Sequence, residues 1–361
     1  MHVLAILDSQ RLQDEERMIT RIFSGLKEHG CRSTLVIPSR LPDSLGHVHS
    51  DGLGADTILT TSIPMSFWQR RRGRGGQELV IDESPDVIWA LGEATHQLAS
   101  RIAGTCQVPA VFDIRSIQGA RKAVDRDGTV GGWITPGPAL AKIVSRRVGP
   151  ELVECIRPGV DPGAARIREP EHGPSIAILG AGEDTASMHA LLSSLPGIIK
   201  QVPGMQICIE VAGPTREATW RELRSLELLE HVSTVPGAAG VHDLLAQCDI
   251  FIQPDRHAPA RTIVLEAMKN ESSIISARIP HLDWLVDGET AVLVSKPRRD
   301  AWTEAVLGLL QDPALQQRLG QAARRHVLAH HGLQGHLDSL LGTFRRATRG
   351  FSYPFTLQGT T

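Results

Sequence analysis

Two short stretches in the second half of the chain combine residue types that could do chemistry together. The first, IAILGAGEDTAS (residues 176–187), leads from an apolar strand through Gly180 and Gly182 into a helical pattern. A glycine loop of this kind lets backbone N–H groups approach a phosphate, and the helix behind it offers its unpaired N–H groups to the same anion. The second, DIFIQPDRHAPARTIVLEAM (residues 249–268), runs strand, proline-broken loop, helix, with Glu266 in the first turns of that helix. A carboxylate so placed can accept hydrogen bonds from both hydroxyls of a ribose. Arg256, His257, Arg261 and Lys269 cluster on the same loop and helix and could meet a diphosphate. Each feature also has a plainer reading: Glu266 as a helix-dipole partner, the glycines as a tight turn, and the arginines as solvated surface charge.

Such residues need a scaffold, and the apolar patterning supplies one. In the first half, HVLAIL, RSTLVIP, DVIWAL, AVFDI, WITP and LVECIRP read as strands, with helical stretches such as 13–30, 93–104 and 137–147 between them. The series pauses at DPGAARIREPEHGPS (161–175), rich in Pro, Gly and charge, then restarts with IAILG, QICIEVAG, HVSTVPG, DIFIQP, SIISA and AVLVS. Helices are expected at about 186–200, 215–229, 241–247, 261–269 and 301–311, and a further helical region at 313–348. Short apolar strands alternating with amphipathic helices argue for parallel sheets covered on both faces. The pattern divides into a domain over 1–160, a linker over 161–174 and a domain over 175–339, with the tail from about 340 to 361 packing back on the first domain.

The chain has 361 residues, 41% of them hydrophobic and 22% charged, the balance of a soluble globular protein with room for two cores. A formal net charge of −2 makes it no polycation, so nucleic acid is not expected as a partner. The five cysteines (Cys31, Cys106, Cys155, Cys208, Cys248) show neither a C-x-x-C pair nor metal-ligand spacing, and are expected to be buried, reduced thiols in a cytoplasmic protein. No metal site is expected. With no run of about 18 apolar residues, any membrane contact is expected to be peripheral. The densest basic run, FWQRRRGRGG, sets Arg70, Arg71 and Arg72 beside Trp68, a combination suited to an anionic membrane surface at the inner face; a solvated Gly/Arg loop is the alternative.

In order along the chain, VECIRPGVD, IAILGAG, DIFIQP, LEAM and LVDGETAVLVS resemble the motifs of the retaining glycosyltransferases of the GT-B fold, family 4. The resemblance covers residues 151–330 well and 1–150 more loosely, through PDVIWA, VPAVFDIRS and WITPGPALAKIV. It implies two doubly wound Rossmann-like domains facing a cleft. It also implies metal-independent transfer of a sugar, with retention, from a nucleotide-sugar donor such as a UDP- or GDP-sugar to a glycan, lipid-linked or small-molecule acceptor, without a cofactor. Glu266 would hold the ribose; Gly180 and Gly182, with Arg256, His257 or Arg261, would receive the diphosphate. On the acceptor side, at the ends of first-domain strands, it points to Arg115 with Asp113, and to His96 and Glu93.

The departures are concentrated at the donor site. Where family members carry the Arg and Lys of the phosphate loop, this chain has Ala181 and Ala186; the first acid of the E-x(7)-E motif is Ala258. A glycine usual after the EAM segment is Glu271, a nearby proline is Ser273, and the glycine pair of the first βα loop is replaced by DSQRLQDEE. Charge-assisted contacts contribute about 1.5–3 kcal/mol each, so two lost cations would weaken donor binding roughly 10²–10⁴-fold unless replaced. The alternative function is therefore a degenerate GT-B protein that binds a nucleotide or scaffolds a partner.

Overall fold

A computed structural model describes residues 1–39, 50–61, 83–125, 127–163, 173–180, 184–211, 215–235 and 241–351. The chain divides into two compact units, residues 1–159 with 334–361, and residues 160–333.

The first unit is built on a seven-stranded sheet in the order β3-β2-β1-β4-β5-β6-β7, every pairing parallel. Its strands are β1 (His2–Leu7), β2 (Arg32–Pro38), β3 (Thr57–Thr61), β4 (Val87–Leu91), β5 (Ala110–Asp113), β6 (Val130–Thr135) and β7 (Val153–Cys155). The helices are α1 (Ser9–Glu28), α2 (His96–Cys106), α3 (Ile117–Lys122) and α4 (Pro138–Val148). The central strands β1 and β4 are buried along their whole length, so their side chains face covered surfaces on both sides and read as continuous apolar runs.

The second unit repeats the plan with six parallel strands in the order β10-β9-β8-β11-β12-β13. They are β8 (Ser175–Ile178), β9 (Gln206–Glu210), β10 (Val232–Val235), β11 (Ile250–Gln253), β12 (Ser273–Ala277) and β13 (Val292–Val294). The accompanying helices are α5 (Thr185–Leu192), α6 (Leu195–Gln201), α7 (Arg216–Ser225), α8 (Val241–Gln247), α9 (Thr262–Lys269), α10 (Arg299–Leu310) and α11 (Pro313–His330). Strand alternation splits the core across the sheet. Phe251 packs on one face with Val264, Met268 and Trp284, while Ile250 and Ile252 pack on the other with Ile209, Ile275 and Trp302. Each such fully buried side chain contributes about 1.5–3 kcal/mol.

The last helix, α12 (Leu333–Gly350), belongs to the first unit. Its buried residues Leu337, Leu340, Leu341, Phe344 and Ala347 form one stripe at helical spacing. Phe344 meets Trp89 edge to face at 5.5 Å, and Leu337 lies over Gly25, where an added Cβ would come within 2.4 Å of it.

Two readings of the sequence are corrected by the structure. Residues 186–200 form two helices, because the chain turns at Ser193 and Ser194 and Pro196 opens a new first turn. The region 313–348 is helical as expected, in two helices parted at His331 and Gly332. The cysteines are all free, but Cys155 is exposed and Cys106 half-buried, because β7 is an edge strand and Cys106 ends a surface helix.

Candidate functional site

In an open parallel sheet the strand order reverses at one point, and the loops leaving the two strands there diverge and open a crevice at their carboxyl ends. In the second unit that point lies between β8 and β11. The two strands run together to their ends, where the Leu179 N–H donates to the Ile252 carbonyl at 3.0 Å. Gly180 then passes the Pro254 ring so closely that a Cβ would stand 3.3 Å from it. Ser187 Oγ donates to the Pro254 carbonyl at 2.5 Å and ties the first turn of α5 to the β11 loop.

Asp184 caps α5, its Oδ1 accepting from the Ser187 N–H at 3.1 Å. Arg256 reaches it from the β11 loop and makes a forked pair, Nε to Oδ2 at 2.5 Å and Nη2 to Oδ1 at 3.2 Å. Burial alone would push the Asp184 carboxyl up, but the Arg256 guanidinium and the Ser187 N–H hold it below its ordinary value. The hydrogen bond to Asp184 in turn raises Arg256. Asp184 is 4% exposed in its side chain and Arg256 is 43% exposed, so a buried carboxylate anchors a guanidinium that reaches solvent.

Glu266 lies in the second turn of α9, a helix buried along Thr262–Met268. Its Oε2 is 2.6 Å from Lys269 Nζ, an i,i+3 pair only slightly open to solvent. Arg261 stands at the N-cap of α9, but its guanidinium turns toward β9 and meets Glu210 with both Nη atoms at 3.1 Å, both side chains buried. Arg261, expected to meet a diphosphate, is instead found paired with a buried carboxylate at the end of β9. Ala258 is 1% exposed within the apolar core, and its carbonyl accepts from His281 Nε2 at 3.0 Å. Burial lowers the pKa of His281 to about 4, so the ring is neutral and Nε2 carries its proton. His257 is exposed, and its backbone N–H donates to Asp255 at 2.9 Å.

The equivalent crevice of the first unit, between β1 and β4, is occupied by the protein's own charges. Asp8 caps α1, its Oδ1 accepting from the Arg11 N–H at 2.8 Å, and its carboxylate fills the space beside Gly92, where a Cβ would lie 2.0 Å away. Burial pushes the Asp8 carboxyl up to about 6. Arg11 pairs with Glu15 at 2.5 Å and with Asp113 at 3.1 Å, and Arg115 forks onto Asp113 at 2.8 and 3.1 Å. Burial opposes ionisation of both Asp113 and Arg115, yet each holds the other charged: Asp113 stays below its ordinary value and Arg115 above. The sequence placed Arg115 and Asp113 facing an acceptor; the structure turns both inward, with side chains 6% and 1% exposed. His96 packs edge-on against Phe112 and Trp133, at 5.0 and 6.0 Å, and burial lowers it to about 4, a neutral ring in an aromatic cluster. Glu93 accepts from Ser116 Oγ, which caps α3.

The structure thus sets Gly180 against Pro254 and Arg256 against Asp184 at the ends of β8 and β11, with Glu266, Lys269 and Arg261 on or at the start of α9. Gly182, Ala181, Trp68, Arg70, Arg71 and Arg72 lie outside the described residues. Three participants went unnoticed in the sequence: Asp184, Glu210 and Gln253. Asp184 carried an N-cap signal, an acid three residues before Ser187 at the head of a helix; Glu210 and Gln253 are polar residues ending otherwise apolar strands. Among the described residues no group of three or more His, Cys, Asp or Glu could hold a metal ion, and no helix is long and apolar enough to cross a membrane.

Residues 173–312, most of the second unit, match the family model of Glycosyl transferases group 1. The chain is 25% identical over 339 residues to a glycogen synthase of Mycobacterium tuberculosis, covering 85% of this chain and 80% of the relative. It is 19% identical over 345 residues to LpsE, a lipopolysaccharide core biosynthesis glycosyltransferase of Rhizobium meliloti, covering 90% and 94%. Among solved structures, Alr3699/HepE of Anabaena, crystallised with UDP and glucose, superimposes with a TM-score of 0.73 at 12% identity, covering 95% of this chain and 99% of that one. The fold is GT-B, and residues 173–312 of the second unit are similar to the group 1 glycosyl transferases.

Proposed function

We propose that the protein is a glycosyltransferase that moves a hexosyl group from a nucleotide-sugar donor to a glycan or lipid-linked acceptor, with retention of configuration and without a metal ion in the chemistry. The observation that carries this reading is the buried carboxylate of Glu266, on the helix that follows the switch-point strand β11, inside the segment matched by the family model. There it accepts the ribose hydroxyls, while the loop after β8 and the N-terminus of α5 receive the diphosphate. In the transfer, the bond from the anomeric carbon to the diphosphate oxygen breaks and a bond to the acceptor oxygen forms on the same face. The acceptor proton passes to the departing diphosphate, whose charge is met by fixed positive groups. The glycogen synthase and lipopolysaccharide core relatives support an acceptor that is a growing glycan or a lipid-linked one. The choice between UDP- and GDP-sugars, and peripheral contact with an anionic membrane through the arginine-rich segment 67–76, belong to the same proposal.

One observation favours a second reading, a nucleotide-binding protein without transfer activity. Ala258 is packed into the core, so this position presents no carboxylate to a sugar. Calorimetric titration with UDP, GDP and their sugars, followed by donor hydrolysis and transfer assays, separates the two. Binding that Glu266→Ala abolishes, with turnover, supports the transferase. Binding without turnover over a broad acceptor set leaves the second reading, and failure to bind any nucleotide sinks both.

A further inference from the structure

We propose that Arg256, anchored on Asp184, is the diphosphate-binding cation of this protein, standing in for the positive charges that Ala181 and Ala186 do not provide. The inference rests on the nucleotide-binding reading above and assigns its anion to one residue.

Three cations lie on the β11 loop and α9, and their surroundings sort them. Arg261 is closed onto Glu210 with a side chain 5% exposed, and Lys269 is held by Glu266 at 13%. Arg256 alone of the three is open to solvent, at 43%. Its pairing leaves it usable: the fork to Asp184 engages Nε and Nη2, and among the described residues Nη1 makes no further bond. A guanidinium has five N–H donors in a fixed plane, so one edge can be clamped while the opposite edge meets an oxyanion. The clamp also sets position. Arg256 follows β11 and Asp184 heads the helix after β8, so the pair spans the point where the strand order reverses and a ligand enters.

A second observation points to a ligand at the same place. Gln253, the last residue of β11, is 0% exposed, and neither its Oε1 nor its Nε2 has a hydrogen-bond partner. Its Nε2 lies 3.9 Å from where a Gly180 Cβ would stand, beside the end of β8. A buried amide is costly to leave unsatisfied, and phosphate oxygens received on the loop after β8 would supply the missing acceptor. Asp184 would repel those oxygens were it not neutralised, so Arg256 both attracts the diphosphate and cancels the charge beneath it.

The test compares nucleoside diphosphates with the matching nucleosides, UDP against uridine and GDP against guanosine, by calorimetry on the full chain. The wild type is expected to prefer the diphosphate. Arg256→Gln should shrink that preference roughly 10- to 100-fold while uridine or guanosine binding stays put. Arg256→Lys should fall between, keeping the charge without the fork, and Arg299→Gln, an exposed arginine on α10, should change nothing. Unchanged melting of the variants shows that they fold. A wild type that binds the diphosphate, with Arg256→Gln and Arg256→Lys keeping its full preference, overturns the assignment and leaves the nucleotide-binding reading standing. A wild type that binds no nucleotide overturns both.

Discussion

Arg261, at the cap of α9, donates two parallel hydrogen bonds of 3.1 Å to the carboxylate of Glu210, at the end of β9, with both side chains almost fully buried. In a low-dielectric setting such a pair is worth little against an apolar replacement, but breaking it from one side is expensive. Glu210→Ala is therefore expected to cost about 3 kcal/mol, whereas Glu210→Met with Arg261→Leu should lie within about 1 kcal/mol of the wild type. Urea unfolding of the three variants checks this; a single mutant as stable as the wild type would contradict it.

Glu271 adopts φ +60°, the left-handed conformation that glycine occupies without cost. Helix α11 approaches the turn closely at Gly320, where an added Cβ would come 2.2 Å from the Glu271 carbonyl oxygen. Glu271→Gly is expected to raise stability by about 0.5–1 kcal/mol, the relief being partly offset by the lost, 3.8 Å contact with Arg324. Gly320→Ala should lower stability by about 2 kcal/mol, through displacement of backbone that has no room to give. Thermal melting reads both.

The carboxyl of Asp8 is raised by burial from 3.8 to about 6 in the folded chain. Between about pH 4 and 6 the native state therefore holds a proton that the unfolded state releases, and this residue's contribution to stability declines as pH rises through that window. Asp8→Asn keeps a side-chain oxygen for the helix cap and removes the buried charge. The variant is expected to gain roughly 2–3 kcal/mol over the wild type at pH 7 and almost nothing at pH 4, from paired melting curves.

Two histidines act in the opposite direction. Burial holds His281 and His336 at about 4, each ring using one nitrogen to reach a backbone carbonyl, of Ala258 and Arg157 respectively. The unfolded chain takes up protons from about pH 6.5 downward that the native chain refuses until about pH 4, so stability is lost as pH falls across that interval. The loss should approach about 3 kcal/mol per residue. Replacing His336 by Gln is expected to flatten the acid limb of the stability profile; a profile as steep as that of the wild type would count against it.

Much of the scaffold was legible because its strands are buried on both faces and so stand out as apolar runs: SIISA coincides with β12, and HVLAIL with β1. β3, TILTT, escaped notice because an edge strand half open to water carries no such run. Glu266 was legible from its place after the strand and loop. The partners of the arginines were not, because each pair joins loops far apart in the chain: Arg256 with Asp184 across 72 residues, and Arg261 with Glu210 across 51. Periodicity reports which side of an element is buried; it is silent on which acid a given guanidinium will meet.

The final helix carries a consequence for how the chain is made. The first unit is encoded in two pieces, and its Trp89 and Gly25 are covered by Phe344 and Leu337 from the far end of the chain. During synthesis the N-terminal segment must wait, with part of its apolar surface open, while the whole of the second unit leaves the ribosome. The unit encoded second is thus free to fold first, and the unit encoded first is completed last.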